Sequence, residues 1–322
     1  MELAYKTITK STDLTISKTK CTIHEHSKEI LEKAQEISEK LGIVAPQFYK
    51  DHTTMTTYLY AGAPVSKMID MQVNYDVLYY FDDFFGEDTK TDDSIDFTML
   101  FDTWQNGSKT KVFKTIKIDQ LYTAIAYISN SIKKNSTVRF FEKYTKTIQA
   151  HLYYSLQKKP YETVNEYIDI RLHTGGMLPV IELIEYAYDV FIDDALLKKV
   201  PSLYQVKYDC ALIGALSNDL FSYSKEKHSD YNLVNAYLKT KETYSYGEAV
   251  SLSIKKVNDL YTSYKEGVRQ VYQEMENLEP DEKQIINVYL KGIHNIIAAS
   301  YHWQIQTNRY KHPENVFFDM RY

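Results

Sequence analysis

Residues 203–227 read LYQVKYDCALIGALSNDLFSYSKEK, a stretch without proline in which Leu212, Ile213, Leu216 and Leu220 recur with the period of a helix. At a rise of ~1.5 Å per residue, a helix of that length crosses a large domain. Asn218, Ser222 and Glu226 stand at i, i+4 and i+8 within it. At ~100° per residue the three drift by only about 80°, so an amide oxygen, a hydroxyl and a carboxylate share one side over successive turns. One cation could bridge all three. A plain polar stripe on an exposed helix would show the same spacing.

The segments around this one repeat the helical period. Residues 247–278 and 281 to about 309 are as long, and residues 118–134 and 137–158 form a pair broken near Asn135 and Ser136. Residues 27–41 place Ile30, Leu31, Ala34, Ile37 and Leu41 on one stripe, with Gly42 and Pro46 beyond as a stop. Residues 65–85 are more apolar and more aromatic and are expected nearer the centre. Pro160 starts a further helix over 161–173, which breaks at Thr174-Gly175-Gly176 because paired glycines free the backbone. No βαβ alternation, Gly-rich phosphate loop, repeat or linker interrupts the series. The pattern predicts an all-α, single-domain bundle of about ten helices. Residues 1–20 are expected to be a flexible N-terminal arm, and 21–322 one α-helical catalytic domain.

Composition narrows the function. The 322 residues are 44% hydrophobic and 25% charged, with only 10 Gly and 7 Pro, which excludes disorder and fibrous repeats. A net charge of −5 offers no basic field for nucleic acid, so no nucleic-acid partner is expected. Cys21 and Cys210 lie far apart and form neither a zinc motif nor a disulfide framework. The first residues lack the apolar core of a signal peptide, and no window approaches the ~18 apolar residues of a membrane span. A cytoplasmic location is the expectation. The 30 tyrosines are unusual, but codon bias alone could produce them.

A second acidic feature ends the greasy segment: Asp82-Asp83-Phe84-Phe85-Gly86-Glu87-Asp88 follows Tyr79, Tyr80 and Phe81. Acidic clusters are commonly solvated surface. Carboxylates on an apolar helix instead need metal or cationic partners, and hard oxygen donors favour magnesium.

Together these residues resemble the class I terpene synthases, in the compact single-domain form of bacteria, fungi and social amoebae. In that family an aspartate-rich motif and an Asn/Ser/Glu triad face each other across a helical bundle with a central apolar cavity. Between them they hold three Mg2+ ions on the substrate diphosphate. The resemblance implies Asp82, Asp83 and Glu87 on one wall and Asn218, Ser222 and Glu226 on the other, with Mn2+ admissible in place of Mg2+. The usual third acid falls on Gly86 here, which leaves Glu87 as either a direct ligand or a support for one. The resemblance further implies Arg171, 47 residues before Asn218, as the diphosphate sensor, with Thr174 and Gly175 as linker and effector. It implies Arg309-Tyr310, 83 residues after Glu226, as a diphosphate-binding pair, and Lys225 as a further donor. Tyr79 and Trp303 match pocket aromatics, although either could be ordinary core packing. His173 and His302 are read as structural.

The resemblance implies a lyase acting on a linear prenyl diphosphate, farnesyl or geranylgeranyl, that cyclises the cation left when diphosphate departs. It also implies a homodimer as the assembly to look for. Gly175 at a helix break leads to the further expectation that substrate binding reorganises this segment and closes the N-terminal arm over the mouth. A chain-elongating prenyl diphosphate synthase of the same fold is the nearest alternative, but its second aspartate-rich motif is absent. A non-catalytic helical scaffold is the alternative from another class.

Overall fold

The segment carrying Asn218, Ser222 and Glu226 is one unbroken helix, Ser202–Glu226, in the computed structural model, which describes residues 9–43, 54–85, 96–157, 159–243 and 245–322, the side chains of 82–85 excepted. In chain order the α-helices are α1 (Ser27–Leu41), α2 (Met55–Leu59), α3 (Val65–Phe85), α4 (Phe97–Asn106), α5 (Ile116–Lys134), α6 (Val138–Gln157), α7 (Val164–Thr174), α8 (Met177–Tyr188), α9 (Asp194–Lys199), α10 (Ser202–Glu226), α11 (Leu233–Lys239), α12 (Tyr246–Glu274) and α13 (Pro280–Gln306). Five short 3-10 turns are the other helical elements among the described residues, which contain no strand. The fold is all-α. The surplus over about ten helices comes from α2, α9 and α11, of five, six and seven residues, too short to show a hydrophobic period.

α10 is the axle of the bundle, packed by α7, α8, α11, α12 and α13. Its small residues Ala211, Gly214 and Ala215 let neighbours approach closely; Gly292 on α13 does the same opposite Ile184. α3 is buried continuously from Met71 to Val77, as its aromatic and apolar composition predicts. The polar residues in that run are paired rather than stranded. Gln72 Nε2 donates to Asp76 Oδ1 at 3.0 Å, Ser38 Oγ to Asp76 Oδ2 at 2.7 Å, and Asn74 Nδ2 to the Tyr144 hydroxyl at 2.7 Å.

Helix ends follow local chemistry. Gly42 closes α1 in the left-handed region at φ 73°. α7 begins three residues later than Tyr161, because Thr163 and Glu166 form a capping box. The expected break falls where the glycines are: Gly175 keeps helical angles, and Gly176, at φ 70°, turns the chain into α8.

Residues 9–20 belong to the arm expected to be flexible, yet they are docked as two 3-10 turns with Leu14 and Ile16 fully buried. Ser11 N donates to Asp319 Oδ1 at 2.8 Å, Thr15 N to Asn258 Oδ1 at 2.7 Å, and Phe318 N to the Thr9 carbonyl at 2.8 Å. Two apolar residues spaced by one bury the segment in the core, and its hydrogen bonds tie it to the tail and α12, a signal too short for periodicity to reveal. One contiguous hydrophobic core runs from Leu14 to Met320. No helix among the described residues is long and apolar enough to cross a membrane.

A buried ionic cluster joins α6, α8 and α10. Lys143 Nζ lies 2.6 Å from Glu185 and 3.0 Å from Glu182, and Lys207 also pairs with Glu182. Burial pushes Glu185 up to about 7, with Lys143 opposing, while the two lysines hold Glu182 below its ordinary value. A carboxyl raised in the fold from an unfolded value near 4.5 stabilises at low pH and loses that contribution as pH rises through about 7. Wild type is therefore expected to lose up to about 3 kcal/mol between those limits that Glu185→Gln does not lose. Urea unfolding of both at pH 5 and pH 8 checks it; parallel changes would contradict the assignment.

Candidate active site

α3 and α10 flank a cavity of about 340 Å³, within the range of pockets that enclose a small organic ligand. Along α3 its lining passes from Tyr75 to Leu78 and Tyr79, and along α10 from Gly214 to Asn218, Lys225 and Glu226. On α10 the wall changes from apolar to charged toward the C-terminus, and in sequence α3 reaches Asp82 and Asp83 in its last turn. Met55, Leu59, Met177, Val180 and Trp303 complete the apolar part.

The polar wall is a connected set. Arg171 Nη2 donates to Asn218 Oδ1 at 3.5 Å, and Asn218 Nδ2 donates to the Tyr310 hydroxyl at 2.8 Å and to Gln304 Oε1 at 3.0 Å. The Ser222 hydroxyl lies 2.7 Å from Glu226 Oε2 and 2.8 Å from the Asn218 carbonyl. Thus the i, i+4, i+8 helix positions supply an amide oxygen, a hydroxyl and a carboxylate on α10, with Asn218 and Glu226 lining the cavity and Ser222 bonded to the Glu226 carboxylate and the Asn218 main chain. That donor chemistry fits a divalent ion of the magnesium type. Arg309 stands over the Tyr310 ring at 5.9 Å, and burial raises the Tyr310 hydroxyl above its ordinary value, so it stays a neutral donor. Trp303 meets Tyr310 edge-on at 5.9 Å and is held by Nε1 donating to Thr54 Oγ1 at 3.0 Å.

Of the residues singled out from sequence, Tyr79, Arg171, Thr174, Gly175, Asn218, Lys225, Glu226, Trp303, Arg309 and Tyr310 all line this one cavity. Ser222, buried, is not among the lining residues and bonds the Glu226 carboxylate and the Asn218 main-chain carbonyl. Asp82 and Asp83 fall in α3 with side chains outside the description, and Glu87 lies outside the described residues. His173 stacks on Tyr154 at 4.3 Å, and His302 bonds the Thr19 carbonyl at 2.7 Å.

Comparison with known proteins identifies the family and the fold. The family described as terpene synthase family 2, C-terminal metal binding, matches residues 75–263, more than half of the chain. The chain belongs to the terpene synthases. It is 26% identical over 149 residues to alpha-muurolene synthase of Coprinopsis cinerea, covering 46% of this chain and 34% of that protein. It is 25% identical over 150 residues to terpene synthase 1 of Cavenderia fasciculata, covering 45% and 44%. These matches thus span less than half the length of either relative. Among solved structures, a-eudesmol synthase superposes with a TM-score of 0.76 at 14% identity, covering 89% of this chain and 97% of that one. Germacradien-4-ol synthase from Streptomyces citricolor gives 0.73 at 15% identity, covering 89% and 96%. At such identities the superposition speaks for the terpene synthase fold.

Several residues of this terpene synthase site were invisible to motif reading. Asp219, fully buried, takes Arg171 Nε and Nη2 on Oδ1 at 2.9 Å, and its Oδ2 accepts from the Tyr167 hydroxyl and from Leu233 N at 3.0 Å. Burial raises Asp219 to about 6 against the pull of Arg171. Its position beside Asn218 was the only local hint. Asn232 donates to Glu226 Oε2 at 3.0 Å and to the Asp219 carbonyl at 2.7 Å, tying the two together. His151, Tyr75 and Gln304 reach the cavity from three different helices and carry no motif.

Gly175 is needed because of a close approach. A Cβ there would meet Ala215 Cβ at 2.6 Å and the Arg171 carbonyl at 2.8 Å. Gly175→Ala is expected to cost about 1–3 kcal/mol in thermal unfolding by prising α7 from α10. The shift of Arg171 against Asn218 is expected to lower turnover by up to ~10²-fold. Unchanged unfolding and turnover would show that the contact yields freely.

Proposed function

We propose that this terpene synthase ionises a linear prenyl diphosphate, farnesyl or geranylgeranyl, in the presence of Mg2+, cyclises the resulting carbocation and releases a hydrocarbon or alcohol with diphosphate. The observation that carries this reading is the hydrogen-bonded set Arg171–Asn218–Tyr310 set against an apolar, aromatic cavity. Ionising an allylic carbon–oxygen bond separates an anion from a cation, so a competent site must offer donors at one side and a largely apolar, aromatic enclosure at the other.

Asn218, Ser222 and Glu226 are the residues that would hold metal on α10, with Asp82 and Asp83, and Glu87 with them, as the proposed facing bank. Mg2+ bound there would supply Lewis acidity to the leaving diphosphate. Arg171 is pre-aimed by its two contacts to Asp219 and has a fork suited to phosphate oxygens. Arg309, Lys225 and the neutral Tyr310 hydroxyl add donors on the same wall. Tyr79 and Trp303 line the interior, where a ring face turned to a desolvated cation would be worth about 2 kcal/mol. The buried lining keeps water from the cation until the ring has closed.

The test is diphosphate release from farnesyl and geranylgeranyl diphosphate with and without Mg2+, with products read by gas chromatography. Metal-dependent release with a cyclic product is expected. Folded protein that releases nothing would favour the scaffold reading. A longer prenyl diphosphate on addition of isopentenyl diphosphate would favour chain elongation.

A further inference from the structure

One lining residue does not suit a passive wall. His151, on α6, reaches the cavity beside Gly176, where a Cβ added to Gly176 would lie 3.8 Å from its Cε1 and 4.0 Å from its Nε2. Its Nδ1 sits 3.0 Å from the His173 carbonyl oxygen. A carbonyl only accepts, so Nδ1 carries the proton and Nε2 keeps its lone pair. Nε2 has no hydrogen-bond partner among the described residues. Burial holds the imidazole below its ordinary pKa, and Arg171 pushes the same way against the His173 carbonyl, so the ring is neutral at pH 7. The other side-chain nitrogens of the lining belong to Arg171, Asn218, Lys225, Trp303, Gln304 and Arg309. These are cationic, amide or indole groups with no lone pair to give at that pH.

We propose that His151 Nε2 is the base that ends the carbocation cascade in this chain. This rests on the function proposed above and adds the atom that takes the proton. In the step, a C–H bond next to the cationic carbon breaks, its electron pair becomes the new C=C π bond, and the proton forms an N–H bond at Nε2. Positive charge passes from carbon to imidazolium. Beside Arg171 that imidazolium is disfavoured, so the proton passes on to the released diphosphate, which leaves protonated, and the neutral ring is restored. The bond from Nδ1 to the backbone of α7 fixes the ring's orientation and its tautomer throughout, which a side chain anchored only by packing would not achieve.

The experiment uses the full chain with Mg2+ and whichever of farnesyl or geranylgeranyl diphosphate it consumes. In His151→Phe, which keeps an aromatic ring without a lone pair, the share of the main wild-type alkene is expected to fall by ~10-fold or more, replaced by alcohols or products of earlier termination. Should that variant fail to fold, His151→Asn, whose amide nitrogen takes the place of Nδ1, keeps an N–H for the His173 carbonyl and makes the same comparison. In His151→Ala, added imidazole is expected to restore the wild-type product ratio, whereas pyrrole, of equal shape but without a basic lone pair, is not. An active wild type whose product ratios survive His151→Phe, or equal rescue by pyrrole, overturns the role of His151 and leaves the proposed function standing. A wild type that consumes neither substrate overturns the proposed function, and this role with it. Independently of substrate, nitrogen NMR of the imidazole at pH 7 is expected to show a protonated Nδ1 and a bare Nε2. The opposite tautomer, or imidazolium, would also overturn the proposal.

Discussion

Asn218→Ala is expected to lower Mg2+-dependent diphosphate release by about 10²–10³-fold while leaving the helical fold intact. The side chain does two jobs at once. Its oxygen belongs to the bank shared with Ser222 and Glu226 and meets Arg171 at 3.5 Å; its nitrogen holds the Tyr310 hydroxyl at 2.8 Å and Gln304 at 3.0 Å. Truncation therefore removes a proposed metal ligand and releases the neighbouring donor together. The stability cost is bounded by two neutral hydrogen bonds at the cavity surface, at about 1 kcal/mol each, and one long contact to the Arg171 guanidinium. Circular dichroism and thermal unfolding should move little beside the loss of turnover. A variant with wild-type turnover would remove Asn218, and with it the α10 bank, from the reaction. Glu226→Ala is expected to behave alike, since its carboxylate ends the same bank.

Asp219→Ala is expected to be the most destabilising single change near the site, by about 3–5 kcal/mol in chemical unfolding. Asp219 is fully buried, and its loss takes one acceptor from three donors: the guanidinium of Arg171, the Tyr167 hydroxyl and Leu233 N. Against a total stability of ~5–15 kcal/mol, that is enough to reduce the yield of folded protein. Turnover is expected to fall as well, because Arg171 loses the contact that aims it toward Asn218. Asp219→Asn, which keeps shape and an acceptor for Leu233 N, should lose less stability than alanine yet still lower turnover. Equal stability of wild type and alanine variant would mean that Arg171 is supported by other contacts.

Helix type, approximate bounds and the face shared by Asn218, Ser222 and Glu226 were legible because each depends on residues within one or two turns of one another. Periodicity also placed α3 near the centre, and the Gly175-Gly176 break was readable because the left-handed angle of Gly176 is a local property. The short helices α2, α9 and α11 were not, since five to seven residues are too few for a period.

What the chain by itself determined is therefore its all-α class, the order of its motifs and the chemistry available on each helix face. The tertiary structure alone decided that Asp219 would clasp Arg171, 48 positions earlier, that His151 would reach the cavity beside Gly176, and that Leu14 and Ile16 would bury the N-terminal segment in the core. The physical reason is that a local dihedral preference acts between neighbours in sequence, whereas desolvation and hydrogen-bond pairing act between whatever groups packing brings within about 3 Å.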